Sequence, residues 1–265
     1  MKIPREGYLY IGLTLGLTGF FHGMLAMLSR LEVVALSSVL GMVLLILGGS
    51  VPTVMAFVLI HRQKDPLHRA FFYQSLTRWR MGLVEIAYAL VIPILLGLLA
   101  LFVRRALYGT PWLVFDLQPV ILFPLFLLSG LVFGGLEEIG WRGYLQHRLL
   151  AWRAIPLALF IGVIWALWHV PLFFVVGASQ ADFAFLPYLL QALVFSFFLT
   201  GLYLKTGSIV LTVLFHASIN ASATMGLAPV FAHTLGTYVY LALAAAVGLY
   251  SLWVIEKTVH LQKGD

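Results

Sequence analysis

The 265-residue chain contains no cysteine, which excludes disulfides and thiol chemistry. Charge is scarce as well. Only 10% of residues are Asp, Glu, Lys or Arg, where a soluble domain carries about 25%. Hydrophobic residues make up 62%, and the mean hydropathy is +1.01. A domain of this size buries only about three quarters of its surface, so water cannot face what remains. These proportions exclude a soluble globular protein and a disordered one. Acidic residues are few enough to leave a net charge of +6. The basic residues fall between apolar runs and form no single patch, so the excess does not read as nucleic-acid binding. The partners implied are membrane lipids, with no nucleic acid.

Eight apolar runs are long enough to cross about 30 Å of hydrocarbon. They lie near 8–28, 34–60, 81–103, 119–136, 155–174, 185–204, 208–227 and 234–255. The first lacks a cleavage-site pattern and reads as a retained span. The fourth is expected to continue as helix through GGLEEIGWRGYLQHRLL to about Leu150. The expectation is an all-α fold, a polytopic integral membrane bundle of about eight transmembrane helices forming one membrane-embedded domain over 1–265.

Thirteen Lys and Arg residues fall on one side of these spans, and only Arg30, Arg104 and Arg105 on the other. By the positive-inside rule both termini are expected in the cytoplasm. Arg104 and Arg105 can snorkel to the outer interface. The compact chain with no targeting extension suggests a bacterial inner (cytoplasmic) membrane. Segment 61–80 mixes five basic residues with Phe71, Phe72, Tyr73, Leu76 and Trp79. It reads as a short cytoplasmic amphipathic helix on the inner leaflet.

Ionisable residues inside hydrocarbon are costly and mark function. Glu137, Glu138 and Arg142 lie in FGGLEEIGWRGYL, His169 in VIWALWHVPLF, and His216 with Asn220 in VLFHASIN. Glu85 and His22 also sit within spans, and the pattern assigns them no role. Glu138 and Arg142 are four apart, so on a helix they share a face and can pair. Glu137 then points elsewhere. Glu137 and His169 are each sixteen residues from Arg153. If two continuous antiparallel helices meet near Arg153, both reach similar depth and can face each other. His216 and Asn220 are again four apart and share a face. The set offers a base, groups to orient water, and donors for an oxyanion, which suits hydrolysis.

These residues resemble the CPBP intramembrane proteases, which include the Rce1-like CAAX prenyl endopeptidases and the bacteriocin-processing Abi proteins. EEIGWR fits the family's EExxxR motif. Trp165 to His169 fits an aromatic-xxxH motif in which many members have Phe, and His216 to Asn220 fits Hxxx(N/D). The motifs occur in the family's order within a core of about 119–225. The resemblance implies an Rce1-like intramembrane endopeptidase that cleaves membrane-associated peptides or proteins. Glu137 and His169 would activate water, and His216 and Asn220 would stabilise the oxyanion. Glu138, Arg142 and Trp165 would support the site. No cofactor is the preferred expectation. The alternative is zinc held by Glu137, His169 and His216 with an open fourth position. The competing functions are a transporter and a non-catalytic scaffold or bacteriocin-immunity protein. The substrate expected from a bacterial chain is a leader peptide or membrane protein more than a prenylated one.

Overall fold

The computed structural model describes residues 2–78, 82–110, 117–227 and 232–263. Among these there is no β-strand. Nine α-helices follow in order: α1 Arg5–Arg30, α2 Val39–Arg62, α3 Pro66–Leu76, α4 Leu83–Tyr108, α5 Leu117–Val132, α6 Ala154–Trp168, α7 Phe185–Thr206, α8 Ile209–Ser222 and α9 Leu235–Lys263. A short 3-10 turn (Gly135–Glu137) and a π-helical segment (Ile139–Gln146) lie between α5 and α6. Among the described residues seven helical stretches are individually long and apolar enough to cross a membrane, counting α6 with its extension to Phe174 and α8 with its extension to Leu227. The bent pair formed by α5 and the 135–146 segment supplies an eighth crossing if counted as one. The protein is an all-α integral membrane bundle. Large apolar side chains such as Leu13, Ile46, Leu83, Leu98 and Val247 face outward, as lipid contact requires.

One expectation about helix continuity needs correction. The fourth span does not run unbroken to Leu150, because the chain bends by 42° between Val132 and Gly135. Gly134 makes the bend with φ 147°, a conformation that side chains oppose. The fifth span covers Ala154–Phe174, as the apolar run at 155–174 predicts, with α6 to Trp168 and a final 3-10 turn over Val170–Phe174. Pro171 lacks the N–H that another α-helical turn would use.

Segment 61–80 is corrected as well. Residues 61 and 62 end α2, and the separate helix is only Pro66–Leu76. Asp65 caps it by accepting from Leu67 N at 2.9 Å, and Pro66 occupies its first position. Phe72 is buried against Phe57, while Leu67 and Phe71 stay exposed. Trp79 and Arg80 lie outside the described residues.

Side-chain bonds tie the strongly basic loops into one end of the bundle. Trp152 Nε1 donates to Lys2 O at 3.4 Å, and Ala154 N to Glu256 Oε1 at 2.9 Å. Arg148 bonds Gln63, and Ser208 Oγ donates to Arg78 O at 3.1 Å. At the opposite end Arg30 Nε donates to Phe174 O at 2.9 Å. Glu85 belongs to the basic end, paired with Lys205 at 3.1 Å. That pair is partly exposed and contributes roughly 0–1 kcal/mol.

Candidate active site

The bend at Gly134 positions the site. It frees carbonyls that hydrocarbon cannot satisfy, so neighbouring helices must. Thr53 Oγ1 of α2 donates to Leu136 O at 2.6 Å, and Asn220 Nδ2 of α8 donates to Phe133 O at 2.9 Å. The chain then enters the π-helical segment, whose residues are all buried. Gly140 allows close packing there: a Cβ would strike the Tyr10 hydroxyl and the Pro52 carbonyl. Trp141 and Tyr144 pack their rings on Tyr10 at 5.8 and 4.9 Å.

Glu138 and Arg142 form an ion pair at 2.8 Å with both side chains fully buried. The second Glu138 oxygen, Oε1, accepts from His216 Nδ1 at 2.8 Å. The sequence pairs Glu138 with arginine only, so the link across to α8 is new. Arg142 also donates to Ser196 Oγ at 3.4 Å and lies over the Trp165 ring, 5.6 Å from its centroid. Ser196 in turn donates to Ala158 O at 2.7 Å. One buried carboxylate is thereby joined to α6, α7 and α8.

Glu137 is oriented differently. Its Oε2 accepts from Trp165 Nε1 at 3.1 Å. The direct partner of Glu137 is therefore Trp165, one helical turn before His169. The sequence instead has His169 facing it across two continuous helices. His169 Nδ1 donates to Trp165 O at 2.8 Å, which leaves Nε2 with its lone pair. The His169 ring packs edge-on against Trp165, Trp168 and Tyr188 at 5.7, 4.6 and 5.4 Å.

Glu137, Trp165, His169, His216 and Asn220 all line one cavity of about 780 Å³. A volume of this size suits a ligand-binding pocket. Gly134 is a site residue that the motif reading passes over. A Cβ placed on it would meet Asn220 Nδ2 and lie 2.9 Å from His216 Nε2. The two nitrogens thus converge where Gly134 lacks a side chain. The sequence signal is the Gly134-Gly135 pair just before the two glutamates. His22 also lines this cavity and is bonded through Nε2 to Leu45 O at 3.0 Å.

The metal alternative is testable on the donor arrangement. The Nδ1 atoms of His169 and His216 are held by Trp165 O and Glu138, an arrangement that leaves each Nε2 open, as in metal-bound histidines. Among the described residues no three His, Asp or Glu side chains gather as a metal site requires.

The cavity stays away from the basic end. Its lining runs from the catalytic candidates to Leu36 and Gly177–Gln180, at the opposite end of the bundle. Its lining also includes Ile46 of α2 with Val132 and Phe133, all about half exposed or more, so it reaches the side of the molecule.

Residues 119–222 match the family model described as type II CAAX prenyl endopeptidase Rce1-like. The CAAX prenyl protease 2 of Methanococcus maripaludis is 34% identical over 146 residues, which cover 51% of this chain and 51% of that protein. The chain thus spans about half the length of the curated relative it matches. Both findings are of similarity to Rce1-like CAAX prenyl endopeptidases over part of the chain.

Proposed function

We propose that the protein is an intramembrane endopeptidase that hydrolyses peptide bonds of membrane-associated proteins or peptides with water activated by Glu137. The observation that carries this reading is one cavity lined by a carboxylate, an imidazole with a free Nε2, and two converging side-chain nitrogens. Glu137 accepts a proton from water held at His169 Nε2, and the water oxygen adds to the substrate carbonyl carbon. The carbonyl oxygen becomes the oxyanion between Asn220 Nδ2 and a protonated His216 Nε2. The carbon–nitrogen bond then breaks, and Glu137 returns its proton to the leaving amine.

Glu138 holds His216 at Nδ1, so the ring presents Nε2 to the cavity. Arg142 balances the charge of Glu138. The mechanism proposed is metal-free.

The substrate is tested with two quenched fluorescent peptides in reconstituted vesicles. One is a farnesylated CAAX-type peptide, the class that the relative's name specifies. The other is an apolar transmembrane peptide. Cleavage of at least one, retained after metal is removed to a verified-empty level, is expected. A metal-empty protein that is inactive and regains activity with zinc overturns the metal-free mechanism. Cleavage of neither peptide counts against the protease reading.

Orientation decides which side substrate comes from. The proposal is that the basic end faces the cytoplasm, so the cavity opens outward and sideways into the lipid. The absence of native cysteine makes this measurable. Exposed Ala181 lies near the cavity end and exposed Lys64 at the basic end. In intact cells Ala181→Cys is expected to react with an impermeant maleimide, and Lys64→Cys only after permeabilisation. The reverse pattern inverts the topology and places the cavity mouth in the cytoplasm.

A further inference from the structure

The cavity has a second polar wall that the hydrolytic chemistry does not use. Gln191 on α7, Ser222 on α8 and Tyr240 on α9 all line it, and each is 2–3% exposed. Neither polar atom of the Gln191 amide has a hydrogen-bond partner in the protein. The same is true of the Ser222 and Tyr240 hydroxyls. The Tyr240 hydroxyl lies beside the Gln191 amide without closing an aligned hydrogen bond. Around them the lining is apolar, with Pro93, Leu96, Ile219 and Leu227. Four unsatisfied polar atoms in one buried wall are costly, and native proteins keep few of them. Inside a membrane the cost is greater, because lipid offers no partner.

We propose that Gln191, Ser222 and Tyr240 form a subsite that binds the backbone amides of the substrate next to the scissile bond. This rests on the protease reading and deepens it. A peptide bond can be hydrolysed only where the substrate backbone is extended, and extended backbone carries N–H and C=O groups that an apolar cavity cannot satisfy. The Gln191 carboxamide carries two donors and an acceptor, matching both groups of a peptide unit, and the hydroxyls can serve as either. All three side chains are neutral. The wall therefore suits amides over a phosphate, a carboxylate or an ammonium group. Position agrees with the role: Gln191 is one helical turn beyond Tyr188, whose ring meets His169 at 5.4 Å. The subsite reads substrate by its main chain, which tolerates varied side chains.

The test uses Gln191→Leu in the full chain, with whichever of the two peptides the wild type cleaves. Leu has similar size and no polar atom. KM is expected to rise about tenfold with kcat within about twofold, since the lost bonds are made alike in ground and transition states. Without substrate, the detergent-solubilised variant is expected to unfold at the wild-type temperature or higher, because unpartnered polar atoms have been removed. A buried glutamine with a structural role gives the opposite result, a lower Tm with unchanged KM, and that overturns the proposal. Unchanged KM at unchanged Tm overturns it too and leaves the wall lined by water only. If Gln191→Leu raises KM and also lowers Tm, Tyr240→Phe decides, since it removes a single hydroxyl. A raised KM at unchanged Tm supports the subsite, and an unchanged KM overturns it. Wild-type cleavage with either overturning result defeats the subsite and leaves the protease reading intact. If the wild type cleaves neither peptide, binding of the transmembrane peptide to Glu137→Gln is compared with binding to Glu137→Gln/Gln191→Leu. A tenfold loss supports the subsite, and equal or absent binding overturns it.

Discussion

Glu137→Gln is expected to reduce peptide cleavage to background while the protein still inserts, folds and elutes as the wild type does. Glutamine keeps the side-chain length and an oxygen that can accept from Trp165 Nε1, the bond now made at 3.1 Å. It cannot take a proton from water. Loss of a general base typically lowers the rate by about 10²–10⁴, and here the same group also returns the proton to the leaving amine. His169→Ala should be as damaging, because it removes the Nε2 that holds the water. Asn220→Ala should cost less, near the lower end of the roughly 10²–10³ seen when one oxyanion donor is lost. The measurement is kcat on a peptide that wild type cleaves, with circular dichroism and size exclusion as controls for folding. Wild-type turnover by Glu137→Gln would end the assignment of this cavity as a protease site.

Arg142→Ala is expected to be the most destabilising of the site substitutions. Glu138 and Arg142 are both fully buried and 2.8 Å apart. Removing one partner of such a pair costs about 3–5 kcal/mol, since the other charge is left without its counterion in a medium of low dielectric. Packing is lost too, because the guanidinium lies over Trp165 and contacts Ser196. Thermal unfolding in detergent measures the effect. Glu138→Gln/Arg142→Met should recover much of this stability, as both charges are gone. Its activity should stay low, because a neutral amide no longer stabilises the protonated His216 that faces the oxyanion. Full stability and full activity in Arg142→Ala would make the ion pair irrelevant to both fold and site.

The first inferences hold because they concern local chemistry. Span positions follow from apolar length, which the bilayer thickness sets independently of packing. The Glu138–Arg142 contact follows from four-residue spacing, and it survives in a π-helical segment because residues four apart still share a face there. The motifs read from the sequence lie within residues 119–222, the stretch that the family model matches.

The failures all concern how helices meet. The reading of 119–150 as continuous helix missed the bend, because Gly134 and Gly135 are tolerated in membrane helices and the sequence does not show which glycine takes a positive φ. The depth argument for Glu137 and His169 assumed regular helices on both sides of Arg153; α6 is continuous from Ala154 to Trp168, but the Glu137 side is a 3-10 turn followed by a π-helical segment. Trp165 was legible as a motif aromatic, but its Nε1 bond to Glu137 depends on how α6 is rotated.

From sequence alone come the membrane class, the helix count, the Glu138–Arg142 contact and the identity of the ionisable residues. Only the tertiary structure decided that Glu138 reaches His216, that Gly134 leaves room for Asn220 and His216 to converge, and that Gln191, Ser222 and Tyr240 share a wall of the same cavity. The physical reason is the solvent. A helix that is apolar all round carries no amphipathic stripe to say which face turns inward. With lipid on one side and apolar neighbours on the other, that rotation is set by packing and by polar groups seeking partners across helices.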